Sequence, residues 1–234
     1  MRGSTTTARH EVMTRLPAVE SVLAVCAHPD DESFGLGGVL AEFASSGSAT
    51  AVLCLTRGES STHGADASKL ESVRSVELRK AATELGVGYV EVLGYPDGGL
   101  AEQKLDVLAH QVVEISSRVG ADLLLVFDEG GVTGHPDHEC ATASAVASAA
   151  FSNLPVLAWV LDEAVASSVN QALGTSFVGR PFEQVDFEVR VDRARQSRAI
   201  ACHASQSTKN PVLWRRLSLQ GDQELLRWLR RSEQ

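Results

Sequence analysis

Apolar residues in this chain fall into short continuous runs, separated by longer stretches in which they recur every three or four positions. The runs at 21–27, 49–56, 89–94 and 121–128 are rich in Val and Leu and bounded by polar or glycine-containing segments, which predicts buried strands. Between them, 37–47, 69–86 and about 104–118 show helical spacing. The first two stop at Gly47 and Gly86, and glycine readily takes the left-handed conformation that ends a helix. Strand, loop and helix repeat four times. Such repetition implies right-handed crossovers and an α/β fold with a mostly parallel sheet covered by helices on both faces. Beyond residue 150 the pattern loosens. The run at 155–161 and the alternating 184–191 read as further strands, the latter at an edge or antiparallel, and helices are expected over about 193–204 and 211–231. Residues 1–18 lack an apolar periodicity and are expected to form a poorly ordered tail, leaving 19–234 as a single domain.

The polar residues at the strand ends carry the chemistry. The first strand runs directly into CAHPDDES (26–33), which places one histidine and three acidic groups within five positions. Crowded ionisable groups repel and desolvate one another unless a cation sits among them. A second cluster, DEGGVTGHPDHE (128–139), follows the fourth strand. In open parallel sheets the ligand crevice lies beyond the C-terminal strand ends, so the fold should bring the two clusters together. Together they offer enough nitrogen and oxygen donors for a divalent metal. A donor set of histidines and carboxylates, not thiolates, fits an open catalytic site better than a closed structural one. The four cysteines, none in a C-x-x-C pair, read as small buried hydrophobes of a reducing cytoplasm. A net charge of −9 argues against nucleic acid as a partner, and no apolar run is long enough to span a bilayer.

AHPDDE, the GLGG that follows it and the distant GHPDH resemble the LmbE/PIG-L-like family of zinc-dependent de-N-acetylases. RSVEL (74–78), GYPDG (94–98) and AIACHASQ (199–206) extend the likeness over roughly residues 21–206. The resemblance implies a Rossmann-like fold and hydrolysis of an acetyl or other acyl group from the amine of a glucosamine-type sugar, glycoside or glycolipid. It assigns His28, Asp31 and His138 to the metal, Asp30 to the general base, and His135 to the developing oxyanion with Asp137 as its orienting partner. Arg74 and Asp97 match positions that hold sugar hydroxyls or a phosphate-like group. The implied cofactor is Zn²⁺, with Fe²⁺ and Co²⁺ also suited to a His₂-carboxylate set. Homo-oligomerisation is left open. One branch of the family carries a tyrosine where this chain has Thr133, which sets its substrate apart from that branch.

Two other readings compete with this one: hydrolysis of a non-sugar amide, and a non-catalytic sugar- or metal-binding relative. A pure binder has no use for Asp30 beside the ligands. GLGG (35–38) lacks a full dinucleotide fingerprint and reads as a tight strand-to-helix turn. His203 reads as a satisfied helix histidine or a support of the metal loop, His63 as a loop residue at the rim, and His10 and His110 as surface. Arg215, Arg216, Arg227, Arg230 and Arg231 would give the expected last helix a basic face, with Trp214 and Trp228 nearby. Asp222 and Glu224 interrupt that face, so an ordinary packed helix is the expectation.

Overall fold

The computed structural model describes residues 12–61 and 67–232; His10 and His63 lie outside them. The four continuous apolar runs are strands: β1 (Ser21–Cys26), β2 (Ala49–Thr56), β3 (Tyr89–Tyr95) and β4 (Leu123–Phe127). Every β1 and β4 residue is buried, as expected when helices cover both faces. The connecting helices are α1 (Asp31–Phe34), α2 (Gly37–Ser45), α3 (Ala67–Leu85), α4 (Leu105–Val119) and α5 (Pro136–Ser152). β5 (Val156–Asp162) pairs parallel to β4, and α6 (Glu163–Leu173) follows it. The remainder comprises β6 (Gly179–Arg180), β7 (Phe187–Arg190), α7 (Arg193–Cys202), α8 (Ala204–Ser207), α9 (Pro211–Gln220) and β8 (Gln223–Arg230). The strand order is β3-β2-β1-β4-β5-β8-β7, with β6 alongside β5. All pairings are parallel except those of β8 with β5 and β7.

Alternation along the strands divides the core into two layers. Val22, Ala24 and Cys26 face α2, α3 and α7 through Leu40, Phe43, Leu78 and Ala199. Leu23 and Val25 face α4 and α5 through Leu108, Val112, Ala141 and Ala145. The chain runs outward from β1 to β2 and β3, then returns to place β4 on the other side of β1. That reversal opens a crevice beyond the ends of β1 and β4, where the two polar clusters emerge.

Two expectations need correction. The helix expected over 211–231 ends at Gln220. Gly221, at φ 62° and ψ −131°, turns the chain, and β8 fills the slot between β5 and β7. Burial of Glu224 and Leu226 on one face follows the period of two, and sheet pairing overrides the helical composition. The basic face therefore does not exist: Arg216 is buried, and Arg227 pairs with Asp128. Residues 12–18, placed by sequence in a poorly ordered tail, cover the sheet edge. Met13 bridges Phe187, accepting from Glu188 N and donating to Asp186 O at 2.9 Å each, and Leu16 packs on the core.

Candidate active site

The turn after β1 is tight because the side chain of Asp31 folds back on it. Its Oδ2 accepts the backbone N–H groups of Ala27 (3.0 Å) and His28 (2.9 Å), which leaves Oδ1 directed at His138 Nε2, 3.2 Å away. From the other side of the crevice, His138 lies on the first turn of α5. Its Nδ1 lies 3.2 Å from Gly131 O and 2.8 Å from Thr133 Oγ1, so the carbonyl fixes the proton on Nδ1 and frees Nε2. His28 is held in the complementary way. Its Nε2 donates to Asp97 Oδ1 (3.0 Å) and Asp137 Oδ2 (3.3 Å), which frees Nδ1, 3.1 Å from His138 Nε2. Two ring nitrogens without protons between them would face each other at a cost. A shared cation removes it, and the separations suit donors on one ion with bonds of about 2.0–2.1 Å. His28, Asp31 and His138 thus form a buried donor set that fits a divalent metal.

Asp30 points elsewhere. Its Oδ2 accepts from Arg74 Nη2 at 2.9 Å, and Arg74 also donates to Pro29 O (2.9 Å) and Gly58 O (2.7 Å). Arg74, expected by resemblance to hold a sugar hydroxyl or a phosphate-like group, is 3 % exposed. Asp30 lies at φ 150° and ψ −21°, backbone territory that residues other than glycine rarely occupy. Glu32 holds it there, accepting the Asp30 N–H at 3.0 Å through Oε2 while Oε1 takes His203 Nε2 at 2.7 Å. His203 is fully buried, a support of the turn rather than a freestanding helix residue.

The electrostatics separate neighbouring groups. Burial raises the Asp30 carboxyl above its usual range against the opposing pull of Arg74. Asp31 is also buried, yet His138 and His28 hold its carboxyl well below that range. Burial works against a charged His28, but its bonds to Asp137 and Asp97 and the charge of Asp31 push it up to about 10, so without a metal ion the shared cation between its Nδ1 and His138 Nε2 is a proton. His135 is lowered by burial and by the neighbouring His28 and His138, so it is neutral near pH 7. Its Nδ1 accepts the Asp137 N–H at 3.1 Å, which leaves the proton on Nε2 as an outward donor.

The carboxylate of Asp137 does not orient His135. Besides His28 it receives Gly98 N at 2.8 Å and Leu100 N at 3.1 Å, tying the loop after β3 to the metal loop. Asp97, expected to meet substrate, bonds His28 and accepts from Ser60 N (2.9 Å). Asp97 still lines an open polar recess of about 310 Å³ beside His28, Asp30 and His135, along with Ser60 and Gln206, whereas Asp137 is fully buried behind it. Ser60 and Gln206 are the site residues the sequence reading missed. Only the Gln at the end of AIACHASQ carried a signal.

A carboxylate held apart from a His/His/Asp donor set, at the reversal point of a parallel sheet, defines the class: an α/β protein with a candidate metal-dependent hydrolytic site. The GlcNAc-PI de-N-acetylase (PIG-L) family matches residues 23–150, more than half of the chain, and the chain belongs to that family. It is similar to a probable N-acetyl-alpha-D-glucosaminyl L-malate deacetylase 2 of Bacillus anthracis, 29% identical over 90% of this chain and 92% of that one. A 1D-myo-inositol 2-acetamido-2-deoxy-alpha-D-glucopyranoside deacetylase of Salinispora arenicola is 32% identical over 54% of this chain, which spans about half of that relative (49%). In architecture, the N,N'-diacetylchitobiose deacetylase of Pyrococcus horikoshii superimposes with a TM-score of 0.68. The match covers 90% of this chain and 84% of that one at 21% identity, a likeness of fold. No helix among the described residues is long and apolar enough to cross a membrane.

Proposed function

We propose that this chain is a zinc-dependent amide hydrolase that removes an acyl group from the amine of an N-acylated glucosamine-type sugar. The observation that carries this reading is the division between Asp31, drawn into the donor set, and Asp30, kept out of it on Arg74 with a raised pKa. His28, Asp31 and His138 would hold a divalent ion, which would polarise the amide carbonyl and acidify an attacking water. Asp30 accepts the proton of that water, a role suited to a carboxylate whose affinity for protons is raised. His135 Nε2–H donates to the oxygen that gains charge, acting as a neutral donor rather than a cation. Asp30 then returns its proton to the departing nitrogen, so that the C–N bond breaks to a free amine. Asp137 and Asp97 keep the Nε2 proton on His28, and the polar recess supplies acceptors and donors for sugar hydroxyls. A pure binding protein has no need to hold Asp30 in a strained backbone beside the donors.

The experiment is metal analysis of the purified protein with an assay for free amine on a panel of N-acetylglucosaminides. Chelation should abolish amine release and added Zn²⁺ should restore it. Full activity in protein freed of metal would defeat the proposal.

A further inference from the structure

The three candidate ligands lie between two cavities of opposite character. The polar recess reaches His28, Asp30 and His135. On the other side, a cavity of about 170 Å³ reaches Asp31 and His138, and its walls are Phe34, Phe127, Trp159, Phe177, Val212 and Leu213. An amide held at the donor set has two arms. The sugar arm belongs with the hydroxyl-binding recess, which leaves the apolar cavity for the acyl arm. A methyl group would leave most of that space empty. An apolar cavity of roughly 150 Å³ is large enough to admit benzene, so this one holds about six carbon atoms. Thr133, a small residue, also lines it.

A charged acyl tail is the alternative to weigh, because Arg216 forms part of the wall. Its guanidinium is already engaged. It donates to Phe34 O and Gln220 Oε1 and stacks over Trp159 with its carbon 5.2 Å from the ring centre. What remains for a ligand is mainly aromatic and aliphatic surface. We propose that this cavity is an acyl pocket and that the preferred substrates carry a neutral N-acyl chain of about six carbons rather than acetyl. The assignment rests on the amide-hydrolase reading above. The chemistry is that of the shorter substrate: the water oxygen forms the new C–O bond, the C–N bond breaks, and the proton passes to the amine. The products are the free amino sugar and a short fatty carboxylate.

The test compares N-acetyl-, N-butanoyl-, N-hexanoyl-, N-decanoyl- and N-succinylglucosamine on the zinc-loaded full chain, with calorimetric binding to the chelator-treated chain as a second readout. Each further methylene buried is worth roughly fourfold, so kcat/KM should rise at least ~10-fold from acetyl to hexanoyl and fall again at decanoyl. Binding to the metal-free protein should follow the same order. Val212 is half-buried in the wall, so Val212→Phe should shrink the pocket and reduce the hexanoyl-to-acetyl ratio in both readouts. Acetyl turnover with a steady decline along the series overturns the pocket and leaves the hydrolase reading standing. A preference for succinyl over hexanoyl overturns the neutral chain in favour of recognition by Arg216. If no member is hydrolysed, hexanoyl binding at least ~10-fold tighter than acetyl upholds the pocket and defeats the hydrolase reading, whereas equal binding overturns both.

Discussion

Two adjacent aspartates with different partners are the most informative pair of residues in the protein. Asp31→Ala removes a donor whose other oxygen closes the turn, so bound zinc should fall and activity should fall with it. Asp30→Asn should keep the metal and reduce turnover by about 10²–10⁴, the usual worth of a positioned proton acceptor. Zinc content and turnover measured on the same preparations decide the matter, and equal metal loss in both variants would refute the division of labour. Arg74 makes a second case. Burial raises Asp30 and Arg74 pulls it down, so removing the cation must raise the Asp30 pKa further. The acidic limb of the kcat/KM profile, set by protonation of Asp30, should therefore move to higher pH in Arg74→Ala and stay near its normal place in Arg74→Lys. An unmoved limb in Arg74→Ala would show that Asp30 is not the titrating base. Spacing made two His/Asp clusters legible in the sequence, and it was the family resemblance that picked out His28, Asp31 and His138 for the metal and Asp30 for the base. The partner of Asp137 was not legible. It depends on where the loop at 97–100 comes to rest, which no local spacing records.

At the scale of elements, the loop from β4 to α5 is built from backbone that most residues avoid. Gly130, Gly131, Val132 and Gly134 all have positive φ, and a Cβ on Gly131 would lie 2.7 Å from the His138 Cβ. Gly131→Ala should displace that histidine and weaken zinc binding at least ~10-fold, the order seen when support of a metal ligand is disturbed. Competition with a chromophoric chelator measures this, and an unchanged affinity would mean the loop yields freely. The buried Leu226 on β8 gives a plainer test, since Leu226→Ala should cost about 2–5 kcal/mol in equilibrium unfolding. β1, β2, β4 and β5 were readable because parallel, doubly covered strands are continuous apolar runs, and the half-buried edge strand β3 by its Val and Tyr content. β8 was not: QELLRWLR suits a helix as well as a strand, and only the vacancy between β5 and β7 chooses.

Across the whole molecule, the donor set joins chain positions 110 residues apart, His28 after β1 and His138 on α5. A ligand that binds the folded state alone stabilises it by mass action, by about 4 kcal/mol at a thousandfold excess over its dissociation constant. The melting temperature should rise steadily with free zinc in the wild-type protein and stay flat in His138→Ala. A metal-independent melting temperature in the wild type would show that the two loops are not joined through an ion.

The position of β8 also imposes an order of assembly. β7 joins the main sheet through β8, and Glu224 on that last strand accepts Trp159 Nε1 at 2.6 Å behind the wall of the apolar cavity. A chain still on the ribosome, with residues after 221 in the exit tunnel, holds β1 to β5 but leaves the β5 edge bare. Unpaired edges recruit other chains, so the interval before β8 emerges is when the nascent protein is most exposed to aggregation and to chaperones. The cavity wall is completed in the same step. No nascent chain can finish that wall before β8 has emerged.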